Sequence, residues 1–212
     1  MCKQGYINIL RRCEMYAIKR GGMKEDNETR KKIRDNALRL FQENGYDAVT
    51  INAICKASGI SKNTFYYYYT EKKDLLFSII HPSEESRANI MYALAGISSP
   101  YDKLKAACRQ FLEYLLYLGP SVVRKMLELH LASAMVMQGD HHPTEFGKLL
   151  LTLFQQAQQN GEIRKDVPAE ELMRGAWFLI AGVVQTWAVN EGKMDLEETY
   201  LHQFEILLKP QE

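Results

Sequence analysis

The chain has 212 residues, 46% hydrophobic and 25% charged, which is ordinary globular composition and enough length for one or two domains with a real core. A formal net charge of +1 excludes a strong electrostatic preference for the molecule as a whole, but the charge is unevenly spread. Residues 1–76 hold 15 Lys/Arg against 9 Asp/Glu, and residues 77–212 hold 12 against 17, so a polyanionic partner is expected for the front alone.

The four cysteines, Cys2, Cys13, Cys55 and Cys108, are scattered. No CxxC pair or Cys/His cluster has metal-ligand spacing, so reduced thiols in a cytoplasmic protein are expected. His141 and His142 share a loop without helical ligand spacing, and no metal or other cofactor is expected. The most apolar segment, Trp177 to Val184, is interrupted at Gln185, short of the ~20 residues a bilayer needs, so no membrane association is expected.

The pattern is helical throughout, with no sustained alternation that would mark a strand. Residues 1–22 are apolar and basic and end in Gly21-Gly22. They read as an extension ahead of the first domain: an over-long start or a disordered arm, or else a basic arm that touches nucleic acid or an extra packing helix. The first firm helix runs from about Glu28 to Asn44, with Ile33, Ala37, Leu40 and Phe41 in one stripe. Asp26 or Asn27 caps it and Gly45 ends it. Thr50 caps a short helix over 51–57, with Ile51, Ile54 and Ala57 inward, and Ser58-Gly59 breaks it. Ser61 caps the next helix, over 62–68. Two short helices joined by a glycine-containing turn make a helix-turn-helix.

The second of these carries the run FYYYY, residues 65–69. At roughly 100° per residue, Lys62, Asn63, Tyr66 and Tyr67 share one face and Phe65 points away from it. Asparagine can bond an adenine edge, lysine can reach guanine or phosphate, and tyrosine hydroxyls suit phosphate oxygens. That face is therefore expected to lie on DNA, with Tyr68 and Tyr69 flanking it near the helix end.

The stretch Thr50-Ile51-x-x-Ile54-x-x-Ala57-Ser58-Gly59-Ile60-Ser61-Lys62-Asn63-Thr64-Phe65-Tyr66-Tyr67-Tyr68-Tyr69-x-x-Lys72 resembles the helix-turn-helix signature of TetR-family transcriptional regulators. The likeness is close from about Thr29 to Ile80. It implies an all-α homodimer of about nine helices that binds double-stranded operator DNA, usually as a repressor released by a small ligand. It also implies DNA contacts at Thr50 and Asn52, at Ser61, Lys62, Asn63, Thr64, Tyr66, Tyr67 and Tyr68, and at Lys72. Asn63 departs from the glycine most often found at its position, and Tyr67 and Tyr69 replace a frequent histidine and phenylalanine. The implied domains are a DNA-binding head at 23–75 and a helical ligand-binding and dimerisation body at 76–212.

In the body, helices are expected over 71–95, with Pro82 inside as a kink or hinge, and near 101–118, 121–137, 143–160, 168–191 and 195–208. The stretch GAWFLIAGVVQTWAV is apolar almost all round and needs cover on two sides. One cover is its own domain and the other a symmetry mate. Ala176, Leu179, Val183, Trp187, Tyr200, Phe204 and Leu207 are the expected dimerisation residues. Met91, Phe111, Tyr114, Met126, His130, Met135, Phe154, Trp177 and Gln185 could line a pocket for a small apolar or amphipathic ligand. Paired carboxylates, a nucleophile elbow and a phosphate loop are not found at convincing spacing, so an enzyme is not expected. The alternative to a ligand-released repressor is an architectural DNA binder with a filled core and no ligand.

Overall fold

Residues 25–80, 94–132 and 145–209 are described by the computed structural model, and no strand occurs among them. They divide into two units, Met1–Ile79 and Ile80–Glu212. Residues 1–22, Pro82 with its expected kink, Met91, Met135, His141 and His142 lie outside the described residues.

The first unit holds α1 (Glu25–Asn44), α2 (Ile51–Ser58), α3 (Lys62–Tyr68) and α4 (Lys72–Ile80). Asp26 and Asn27 fall inside α1 rather than capping it. Its buried stripe is Ile33, Ala37, Leu38 and Phe41. Leu38 takes the place expected of Leu40, which is only half-buried, because Leu38 lies one turn from both Arg34 and Phe41 on the inward side. Gly45 ends the helix at φ 77° and donates its N–H to the Phe41 carbonyl at 2.9 Å.

Local chemistry sets both short helices. The Thr50 hydroxyl accepts the Ala53 N–H at 3.2 Å, and the Ser61 hydroxyl accepts the Thr64 N–H at 3.0 Å. Between them Gly59 sits at φ 63°, and its N–H and that of Ile60 close onto the Lys56 and Cys55 carbonyls. A side chain at that left-handed φ would be strained, so glycine belongs there. In α2 the fully buried residues are Ile54, Cys55 and Ser58, while Ile51 and Ala57 are half-buried.

The second unit holds α5 (Pro100–Leu118), α6 (Pro120–Ala132), α7 (Glu145–Gln159), α8 (Ala169–Val189) and α9 (Leu196–Leu208), completing nine helices among the described residues. Helix α8 packs on α6, α7 and α9, and α5 packs on α6, α7 and α9. The core between them holds Leu112, Leu115, Phe154, Ile180, Val184, Trp187, Tyr200 and Phe204. By length and composition α8 could cross a bilayer, a test that the core helix of a soluble protein also passes. Seven of its residues are buried, and it packs on α6, α7 and α9 within this unit. The buried Tyr200 hydroxyl meets the Cys108 thiol at 3.5 Å, and burial pushes that thiol up to about 11.

The start of α5 is satisfied completely. Pro100 has no N–H, the Asp102 N–H bonds the Ser99 hydroxyl at 3.1 Å, and the Tyr101 N–H bonds the Glu162 carboxylate at 2.8 Å. The Ser99 hydroxyl donates to the same carboxylate oxygen at 2.8 Å. Burial alone would raise the Glu162 carboxyl, but bonds from Asn160, Tyr101 and Ser99 outweigh it and hold it below its ordinary 4.5. A lowered native value means stability present above pH 4.5 and lost as pH falls through the native value. Glu162→Gln should therefore cost about 1 kcal/mol at pH 7. In urea titrations the gap to wild type should close as pH drops below 4.5; a gap constant with pH would mean the carboxylate charge does not contribute.

Candidate nucleic-acid interface

Helix α3 is held from one side only. Phe65 is fully buried and Tyr69 is 3% exposed, their rings 5.7 Å apart. Ser78 of α4 donates to the Tyr69 hydroxyl at 3.3 Å, and the Arg30 guanidinium of α1 lies 5.8 Å from its ring centre. Tyr69 is thus a core residue of the first unit, with its polar tip satisfied by protein.

On the opposite side, Tyr66 and Tyr67 are 53% and 54% exposed, and Lys62 and Asn63 are exposed beside them. Tyr68 is half-buried and takes the Tyr67 ring edge-on at 5.0 Å. Thr64 is half-buried, with its hydroxyl 2.8 Å from that of Ser61. Thr50 and Asn52 are exposed at the start of α2. The helical geometry expected for Lys62, Asn63, Phe65, Tyr66 and Tyr67 is the one observed.

Lys72, an implied DNA contact, also bonds within the unit. Its ammonium donates to the Tyr46 and Val49 carbonyls, each at 2.7 Å, and lies 4.2 Å from the Tyr46 ring centre. The structure adds Lys32, whose ammonium reaches the α2–α3 turn, 3.7 Å from where a Cβ on Gly59 would stand. No periodicity in α1 marks Lys32, because the contact joins elements distant in sequence.

The charge of the front also resolves. Residues 1–24 hold six Lys/Arg and one acid, whereas residues 25–79 hold nine and eight. The basic surplus thus belongs mostly to residues outside the described ones. Within the unit, Arg39 pairs with Glu43 and Lys73 with Glu71, both exposed pairs of small energetic value. Burial raises the Cys55 thiol, against the opposing charge of Lys62, and that thiol donates to the Ser61 carbonyl at 3.8 Å.

The body residues are less convergent. Phe154 is buried edge-on to Phe204, Tyr114 and Met126 are half-buried, and Phe111 and Trp177 are exposed. The His130 side chain lies outside the described residues. Two surface grooves of about 390 and 410 Å3 are lined by Gly182, Gln185 and Val189 and by Tyr101, Glu162 and His202 among others; of the expected ligand residues, Gln185 alone lies in either.

Of the expected dimerisation residues, Ala176, Trp187, Tyr200 and Phe204 are buried within their own unit. An α8 apolar all round does not announce which stripe turns inward. The outward stripe is Arg174, Phe178, Gly182, Gln185 and Val189, with Leu179, Val183 and Leu207 half-buried beside the core.

A three-helix head with a capped helix-turn-helix and an outward polar recognition face, followed by a helical body, defines a DNA-binding transcriptional regulator. Residues 33–79 match the family model described as bacterial regulatory proteins, tetR family. The chain is 27% identical over 205 residues to the HTH-type transcriptional regulator AcrR of Shigella flexneri, covering 87% of this chain and 90% of that one. FadR from Bacillus halodurans, a fatty acid degradation regulator, superposes with a TM-score of 0.63 at 22% identity, covering 90% of this chain and 97% of that one. FadR from Thermus thermophilus, a TetR-family repressor solved with lauroyl-CoA, superposes with a TM-score of 0.56 at 21% identity, covering 84% and 92%. Residues 33–79 thus match the DNA-binding domain of the TetR family, and over most of its length the chain is similar to transcriptional regulators of that family.

Proposed function

We propose that this regulator is a cytoplasmic, homodimeric repressor that reads operator DNA with α3 and is released by a small apolar or amphipathic ligand. The observation that carries the reading is the division of α3. Phe65 and Tyr69 anchor it, while Lys62, Asn63, Tyr66 and Tyr67 face solvent as one continuous donor-rich surface. We assign DNA reading to the Met1–Ile79 unit and ligand binding and dimerisation to the Ile80–Glu212 unit. Lys62 and Asn63 are the base-reading candidates. Thr50, Asn52, Ser61, Thr64, Tyr66, Tyr67, Tyr68 and Lys32 are the candidates for backbone contacts on either side.

Two copies of α3 would enter successive major grooves about 34–36 Å apart. A ligand that favours another separation of the copies weakens operator binding by its differential affinity for the two states. The first ligand to try is lauroyl-CoA, the compound held by the Thermus thermophilus relative. The wild-type protein should enrich one palindromic sequence from a randomised duplex pool, and lauroyl-CoA should weaken that complex while raising the melting temperature. A ligand at 100 times its dissociation constant adds about 2.7 kcal/mol of stability. Enrichment of no sequence, with no stabilisation by acyl-CoAs or a panel of apolar compounds, would favour an architectural DNA binder.

A further inference from the structure

We propose that Lys72 is a positioning residue that ties the entry of the helix-turn-helix to its exit and so sets the pose of α3 on DNA. The inference rests on the DNA-reading face described above. The motif enters at Thr50, the cap of α2, and leaves where α4 begins at Lys72. The Lys72 ammonium crosses between these points. It donates at 2.7 Å to the Val49 carbonyl, one residue before the cap, and at 2.7 Å to the Tyr46 carbonyl. The Tyr46 carbonyl also takes the Val49 N–H at 3.3 Å, so the lysine closes a loop already folded on itself.

The ring of Tyr46 completes the clamp. It lies under the ammonium at 4.2 Å and against Phe41 of α1 at 5.1 Å, so the charge is cradled by the α1–α2 loop and the core. A cation in the first turn of a helix opposes the helix dipole. Two carbonyl acceptors and an aromatic face offset that cost here. With Val49 buried and Thr50 exposed next to it, the clamp fixes where α2 starts. Because α3 is joined to α2 by a tight glycine turn, it also fixes how α3 is presented.

A phosphate contact and a positioning clamp differ in their salt dependence. Each phosphate contact to B-DNA contributes about 0.9 to the slope of log affinity against log salt. The test uses the full chain and the duplex that the wild-type protein selects from a randomised pool. Lys72→Met should weaken that complex by about tenfold or more, as a misplaced recognition helix loses base contacts. Binding to unrelated duplex and the salt slope should stay as in the wild type, and Lys72→Arg, which restores a donor fork, should recover most of the loss. Should Lys72→Met fail to fold, Tyr46→Leu removes the cradle without removing the charge and should show the same selective loss. A slope lowered by about 0.9 per contact would make Lys72 a phosphate ligand and overturn the proposal. A lower melting temperature with an unchanged ratio of specific to unrelated-duplex affinity would overturn it as well, since the lysine would then only stabilise. If the wild-type protein selects no sequence, the reading face fails and the proposal with it.

Discussion

Replacing Phe65 by alanine should destabilise the DNA-binding unit by about 3–5 kcal/mol, whereas Tyr66→Ala, one residue along, should cost under about 1.5 kcal/mol. Phe65 is fully buried, and its removal leaves a cavity facing Tyr69 with few routes to collapse. Tyr66 is 53% exposed and gives up only an edge contact with the Phe65 ring at 5.6 Å. The order should reverse for DNA. Lys62→Ala with Tyr66→Ala should keep the fold and lower operator affinity by about 100-fold or more, since both half-sites of a dimer lose contacts worth about 1–3 kcal/mol each. Amide hydrogen exchange over α1 to α3 reports the first effect and gel-shift titration at fixed salt the second. A double variant that binds as tightly as the wild type would move the DNA to another face. A Phe65→Ala protein with undiminished amide protection would contradict the packing of α3.

That contrast was legible in the sequence because it depends on local chemistry. Thr50, Ser61, Ser99 and Asp195 each accept an N–H three residues on, and a cap of this kind sets a helix start without help from the rest of the fold. Once Ser61 starts α3, the turn per residue fixes which tyrosine faces which way. Lys72 was not legible, because its acceptors lie in a loop that folding alone brings to it. Tyr69 stood between core and DNA until Ser78 and Arg30 were in place around it. The inward face of α8 was hidden for a third reason. Trp177 and Trp187 both read as apolar, yet one is exposed and the other buried, and only the packing of α6, α7 and α9 separates them.

The same separation yields the second large effect. Phe178→Glu should leave the body folded and shift the protein to monomers, while Trp187→Ala should leave it dimeric and lower its stability by about 3–5 kcal/mol. Phe178 is 57% exposed at the centre of the outward stripe of α8, one turn from Gly182, where a Cβ would meet no atom within 4 Å. Val189 extends the stripe, and Ile206 is exposed on α9, the helix against which α8 packs. A twofold contact uses such a patch twice, so one substitution buries two unpaired carboxylates. Hot-spot losses run to about 2–4 kcal/mol a side, which raises the dimer dissociation constant by about 1,000-fold or more. Trp187 is 2% exposed within its own unit, so its loss acts through a cavity and not through the partner. Sedimentation velocity across a dilution series separates the two variants, and urea titration ranks their stabilities. A folded Phe178→Glu protein that still sediments as a dimer would remove the outward stripe of α8 from the interface. In the expected case the monomer should also lose operator affinity, because each copy of α3 then holds a single half-site without the second to retain it.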